Sequence, residues 1–218
     1  MTELLRVNNF YIELGHLKLS IDDLSIARGE FITIMGENGC GKTTFLDCLF
    51  GSKQPRRGAM KMVGQVNSPT NRGSINSQTG WVLSGKEDYP VKTTIRRFLD
   101  EISTFYETWD KSLESRLLSD FELVEDKKLT ELSLGEQSKL KLLKALCFHP
   151  KLLILDELTA NLSPKSQETI IETIIELFSE NNMGVLCISH FKDEAWKMSD
   201  RIYEISNQKL KIMGANHA

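Results

Sequence analysis

A five-residue apolar run, Phe31-Ile32-Thr33-Ile34-Met35, passes without a break into Gly36-Glu37-Asn38-Gly39-Cys40-Gly41-Lys42-Thr43. Thr43 to Phe50 then reads as a helix, stopped at Gly51, a residue suited to the left-handed position after a helix end. No other segment restricts the fold so tightly. A short run this apolar is the pattern of a strand buried on both faces. The glycines let the backbone wrap closely around an anion where a side chain would collide. Successive N–H groups and the helix N-terminus point at that anion, and Lys42 adds a mobile positive charge. Thr43 offers a hydroxyl to a divalent cation. Strand, glycine loop and helix in this order are the context that a phosphate-binding loop demands. Cys40, inside the loop, reads as a small side chain tolerated beside the backbone in preference to a redox switch.

The rest of the chain supplies a sheet around that strand. Leu5, Val7 and then Leu17, Leu19, Ile21 alternate as strands, with Gly15-His16 as a two-residue turn. Residues 52–78 are polar and rich in Gly, Ser, Asn and Pro, which predicts loops and weak strands, and Trp81-Val82-Leu83 predicts another buried strand. From Tyr89 to Pro150 the character turns helical, with Ile95, Phe98, Leu99, Ile102 and Phe105 at helix spacing and Leu113, Leu117 and Leu118 repeating the pattern. Leu152-Leu153-Ile154-Leu155 and Val185-Leu186-Cys187-Ile188 are further buried-strand runs, ending in Asp156-Glu157 and Ser189-His190. Ile170, Ile171, Ile174, Ile175 and Phe178 form a helix stripe between them, and Ile202 to Ile212 reads as a hairpin. Strands alternating with helices predict an α/β fold with a largely parallel sheet.

Composition removes several classes. A net charge of −3 and a pI of about 5.9 argue against a nucleic-acid-coating protein, so no nucleic acid is expected. No apolar run approaches the roughly 18 residues of a spanning helix, and the opening MTELLRVNNFYIEL lacks the apolar block of a signal peptide. These features predict a protein on the cytoplasmic side. Cys40, Cys48, Cys147 and Cys187 have no CxxC spacing, so reduced thiols are expected in place of a metal site.

Two further patterns carry chemistry. Ser133 and Glu136, inside Leu132-Ser133-Leu134-Gly135-Glu136-Gln137, have the spacing of a capping box opening a helix striped by Leu140, Leu143 and Leu146. On its own this is an ordinary capped helix. Asp156-Glu157 is either a solvated strand end or a pair of carboxylates delivered to the carboxyl edge of the sheet, where α/β folds bind ligands.

GENGCGKT, LSLGEQ, LLILDE and the Ser189-His190 pair, in this order and spacing, resemble the Walker A, signature, Walker B and switch-histidine motifs of the ATP-binding-cassette (ABC) family. DELTANLSP looks like its D-loop, and the resemblance runs nearly end to end. It implies a P-loop NTPase core with a mainly parallel sheet, an antiparallel β subdomain and a helical insertion. The expected division is one ABC ATP-binding domain over 1–218, with core at 1–83 and 151–218 and a helical subdomain at 84–150. It further implies ATP and Mg²⁺, bound by Gly36 to Thr43, Thr44 and Asp156, with Thr43 on the metal and Asp156 reaching it through water. Glu157 would polarise the attacking water, His190 would bond the γ-phosphate and hold Glu157, and Lys42 would neutralise charge. Ser133, Gly135, Glu136 and Gln137 would cover the ATP of a second cassette, identical or different, in a head-to-tail dimer.

Several positions depart from the family pattern. Ser84 stands where a glutamine is usual, and its shorter side chain has less reach to the metal. Ser163, followed by Pro164, replaces the D-loop aspartate but can still cap a helix. Leu134 replaces the first glycine of the signature pair. The adenine-stacking aromatic aligns near Leu14, with Tyr11 three residues away.

A cassette of this length implies a separate membrane permease, docked beside the helical insertion at the cytoplasmic face. Trp81, Tyr89, Phe98, Phe105, Tyr106 and Trp109 concentrate aromatics there; those in the core are structural, and any exposed ones would be anchors. The stretch from Phe105 to Leu123 resembles subunits of type-2 exporters, which predicts export. The alternatives are a soluble ABC ATPase outside transport, such as one in cofactor assembly, and a low-turnover regulatory subunit.

Overall fold

In the computed structural model, which describes residues 2–85, 92–158, 162–189 and 199–215, the apolar runs become the middle of one sheet. β1 (Glu3–Leu14) and β2 (Leu17–Ala27) form a hairpin turning at Gly15-His16, with Leu14 opposite Leu17. β3 (Phe31–Met35) leads through the glycine loop into α1 (Lys42–Phe50). β4 (Arg57–Met62), β5 (Gln65–Val66), a short α2 (Arg72–Asn76) and β6 (Thr79–Val82) follow. Three helices come next, α3 (Ile95–Ser103), α4 (Lys111–Asp120) and α5 (Leu134–Leu146). β7 (Leu152–Asp156), α6 (Pro164–Asn181), β8 (Gly184–Ile188), β9 (Arg201–Ser206) and β10 (Lys209–Ala215) complete the order.

The sheet runs β5-β4-β1-β2-β10-β9-β3-β8-β7-β6. Neighbours from β9 to β6 pair parallel, while β1 pairs antiparallel with β2 and β4, and β9 with β10. This is the α/β architecture that the alternating runs predict.

Continuous apolarity in β3, β7 and β8 has a geometric cause. Successive strand side chains point to opposite faces, and here both faces are covered. Leu153, Leu155 and Val185 pack with Leu99, Leu117, Leu143 and Ile174 of the four long helices α3 to α6. Ile32, Ile34, Leu152, Ile154, Leu186 and Ile188 pack on the other side with Phe45 and Leu49 of α1 and with Phe10 and Leu24 of the first hairpin.

The structure also moves some expectations. Within 52–78, β4 is a full strand paired along β1, and its buried Met60 and Met62 alternate with exposed Ala59 and Lys61. Two methionines among Arg, Lys and Gly gave too weak an alternation to announce it. The α3 stripe ends early: the helix stops at Ser103, and Phe105 is 79% exposed. Leu83 falls just past the end of β6, and Tyr89 lies outside the described residues.

Among the described residues, four helices begin on a side-chain cap: Thr94 for α3, Asp110 for α4, Ser133 for α5 and Ser163 for α6. The Asp110 carboxylate accepts from Ser112 N at 2.8 Å and Leu113 N at 2.9 Å, and it meets His149 Nε2 at 3.1 Å. The Leu113 N–H, helped by His149 and Ser112 and opposed by slight burial, holds this carboxyl below its usual range. A depressed folded-state value means stabilisation that is present above the unfolded value, about 3.9, and lost as pH falls through the folded one. Asp110→Ala should therefore cost about 1 kcal/mol at pH 7. In denaturant titrations that deficit should shrink as pH drops below about 4; a deficit constant with pH would show that the carboxylate charge contributes nothing.

Candidate functional site

The glycine loop leaves β3 at the carboxyl edge of the sheet and returns as α1. Gly36 is required by close approach, since a Cβ there would sit 2.6 Å from Cys40 Sγ. Cys40 thus fills the inside of its own loop, which explains a small residue at that position. Gly41 enters α1 at φ 115°, a conformation that L side chains rarely adopt. Unlike the four capped helices, α1 takes no side-chain cap. Its first-turn N–H groups and positive dipole end are arranged for an anion. Lys42 is buried and lies back over the loop, donating from Nζ to Gly36 O at 2.5 Å and Glu37 O at 3.1 Å. Thr43 is exposed at the helix start and Thr44 is buried beneath it.

Strand register brings two carboxylates to the same edge. Ile34 of β3 and Asp156 of β7 are both level with Ile188 of the intervening β8. Two strand spacings separate them, about 10 Å. Val82 is level with Leu155, so the chain leaving β6 passes directly beside Asp156. There Ser84 donates to Asp156 Oδ2 from its hydroxyl at 2.5 Å and from its N–H at 3.4 Å. Burial pushes the Asp156 carboxyl up, the two Ser84 bonds pull it back, neighbouring Glu157 raises it and Lys42 lowers it, with a net rise. Glu157 sits at φ 48°, left-handed for a non-glycine residue, with its N–H donating to Ile188 O at 2.9 Å.

A cleft of about 280 Å³ adjoins these groups, walled by Ser84 and Gly85, by Asp156 and Glu157, and by one face of α5. That face holds Leu134, Gln137, Ser138 and Lys141, at helical spacing. Lys141 is 5% exposed and donates to Leu83 O at 3.1 Å and Gly85 O at 2.6 Å. Sequence reasoning passed over it, although a lysine between Leu140 and Leu142 in an apolar helix was the available signal.

The capping box at the start of α5 is complete. Ser133 Oγ accepts from Glu136 N at 3.2 Å, and Glu136 Oε2 accepts from Ser133 N at 2.9 Å. Lys127, also missed from sequence, donates to both Glu136 oxygens at 2.8 and 2.9 Å. Partial burial works against the Glu136 charge, but Lys127 and Ser133 prevail and the carboxyl falls below its usual range. Gly135 is half-buried behind them, and Leu134 is 44% exposed.

Comparison with known proteins agrees with this geometry. A family model described as ABC transporter matches residues 19–160. An energy-coupling factor transporter ATP-binding protein of Clostridium perfringens is 30% identical, over 93% of this chain and 73% of its own length. The chain belongs to the ABC transporter family. A spermidine/putrescine import ATP-binding protein of Mycoplasma mycoides is 29% identical over 92% of the chain, which spans only 58% of that relative's length. Two solved structures share the fold. One, described as the ATP binding subunit of an ABC transporter, superposes with a TM-score of 0.85 over 97% of this chain and 90% of its own, at 23% identity. The other, a bacterial ABC transporter cassette in dimeric form, gives 0.81 over 97% and 100%, at 21% identity.

Among the ABC site residues, the structure gathers Lys42, Asp156, Glu157 and Ser84 at one sheet edge, while Ser133 to Gln137 stand on α5 on the far side of the cleft. His190 lies outside the described residues. The first hairpin resolves the question of Tyr11. A Cβ on Gly41 would meet Leu17 at 3.4 Å and Leu19 at 3.3 Å, so these two face the glycine loop. Their cross-strand partners Leu14 and Ile12 share that face. Tyr11 alternates to the other, where Arg57 covers its ring at 5.1 Å. The wall beside the loop is aliphatic. Tyr11→Ala should therefore leave nucleotide affinity within about twofold, as read with a fluorescent ATP analogue; base–aromatic contacts elsewhere are worth about 1–3 kcal/mol, so a loss of tenfold or more would mean that the ring does stack.

Proposed function

We propose that this chain is the ATP-binding and ATP-hydrolysing subunit of a membrane transporter, working as a dimer of cassettes beside a separate permease. The observation that carries the reading is the uncapped, lysine-bearing N-terminus of α1 sharing one sheet edge with Asp156 and a strained Glu157. A non-glycine residue in the left-handed region costs on the order of 1 kcal/mol and persists only where the surroundings hold it.

The donor set fits the expected groups. The glycine loop, the α1 N–H groups and Lys42 suit a polyphosphate. Oxygen donors from Thr43 and Asp156 suit Mg²⁺, which takes one or two protein ligands and completes its sphere with phosphates and water. When bound, that ion neutralises charge on the phosphates. The Glu157 carboxylate accepts a proton from water as the water oxygen bonds the γ-phosphorus and the bond to the β–γ bridging oxygen breaks. Lys42 needs only to turn its ammonium from the loop carbonyls to the phosphates. His190 is proposed to orient Glu157. The α5 N-terminus, with Glu136 neutralised by Lys127, is proposed to cover the nucleotide of a second cassette.

The permease would meet the helical side. Among the described residues of the aromatic group, Phe105 stands well out of the surface, whereas Tyr106 stacks on Phe148 at 4.2 Å and Phe98 and Trp109 pack on the core. Among the described residues no helix is long and apolar enough to cross a membrane, so attachment through Phe105 and its surroundings is part of the proposal. Export rested on the Phe105–Leu123 stretch alone. The curated spermidine/putrescine relative is named for import, and the proposal leaves out a direction.

Glu157→Gln tests the catalytic reading. It should bind ATP within about twofold of the parent yet hydrolyse about 10²–10³ times more slowly, the usual effect of losing one preorganised group. Steady-state phosphate release that matches the parent would remove Glu157 from the chemistry.

A further inference from the structure

Lys141 stands two turns into α5, with its ammonium drawn into the protein and bonded to Leu83 O and Gly85 O. Those carbonyls flank Ser84, which gives both its donors to Asp156 Oδ2. A polar path therefore runs from α5, through three residues of connecting chain, to the carboxylate at the end of β7. Packing alone does not require a lysine here, because Leu140, Leu142 and Leu143 around it are apolar and fully buried. A buried ammonium is tolerated where its hydrogen bonds are met, and two of these go to one short segment. Residues 83–85 lie beyond the last paired residue of β6 and include Gly85 at φ 97°, so the sheet does not fix them.

We infer that Lys141 is a positioning residue: by gripping the carbonyls on either side of Ser84, it sets the hydroxyl that orients Asp156. Bonds to the carbonyls of Leu83 and Gly85, in the peptide units on either side of the Ser84–Gly85 peptide, restrict both the location and the rotation of the residue between them. The orientation of the metal-side carboxylate is thereby tied to α5, the helix whose N-terminus carries the capping box. The inference rests on the proposed role of Asp156 in holding a divalent cation.

Groups that orient a metal-holding carboxylate typically change metal affinity by about 10–100-fold when removed. The test uses the full chain with a non-hydrolysable ATP analogue and Mn²⁺ as the probe, following the paramagnetic resonance signal of free Mn²⁺. Lys141→Met should weaken Mn²⁺ binding about tenfold and leave analogue affinity in EDTA unchanged. Ser84→Ala should give the same shift, the double variant no more than either single one, and Lys141→Arg should restore most of the affinity. Unchanged Mn²⁺ affinity in a folded Lys141→Met protein overturns the inference, and so do effects that multiply in the double variant. Lys141→Gln, expected to shift in the same direction, replaces Met if that variant does not fold. A parent chain that binds no Mn²⁺ with the analogue would instead refute the functional reading, which separates the two failures.

Discussion

The register across β3, β8 and β7 is the constraint on which the site depends. Ile34 and Asp156 meet the same residue, Ile188, from opposite sides. This places the end of β3, just before the glycine loop, and the first carboxylate at nearly equal height, with one strand between them. A one-residue slip would exchange the two faces of a strand. Because Ile154 belongs to one apolar layer and Leu153 and Leu155 to the other, the slip would misplace side chains in both at once. Packing on both faces therefore specifies the relative height of the strand that enters the glycine loop and of Asp156.

Polar groups inside this frame follow one rule, that a buried charge keeps hydrogen-bond partners. Lys42 rests on two loop carbonyls, Lys141 on two others, and Asp156 on Ser84. These partners differ in how they are held. The carbonyls under Lys42 belong to a loop built for an anion, so the lysine can exchange them for phosphate oxygens. The carbonyls under Lys141 belong to the chain leaving β6, outside the glycine loop, and its bonds suit a fixed anchor. The same residue type serves as a mobile charge in one place and a fastener in the other, decided by what surrounds its four-carbon stem.

Most of this was legible where chemistry and periodicity coincide in sequence. The runs at 31–35, 152–156 and 184–188 are apolar because both sheet faces are covered, so fold class and site edge followed together. Ser133 with Glu136, and Ser163 with Pro164, announced helix starts through local bonds that their spacing alone determines. What stayed hidden depends on distant partners. β4 is held by pairing with β1 across some fifty residues, and its own alternation rests on Met60 and Met62. The side of the hairpin on which Tyr11 lies depends on where α1 docks. Lys127 on Glu136 and Lys141 on Leu83 and Gly85 are tertiary bonds, invisible to any local rule.

Two of these bonds account for particular residues at the site. A glutamate at position 136 brings negative charge to a helix N-terminus that is proposed to face another subunit's nucleotide, which alone would repel it. Lys127 bonds both of its oxygens, so the helix end keeps its positive dipole while the capping box keeps its acceptor. Ser84 is too short to reach far from the backbone, and it meets Asp156 because the chain passes close by with Lys141 holding the carbonyls on both sides. A short side chain in a fixed segment can do what a longer one does in a loose segment. On that argument the serine and the lysine form one device, each depending on the other.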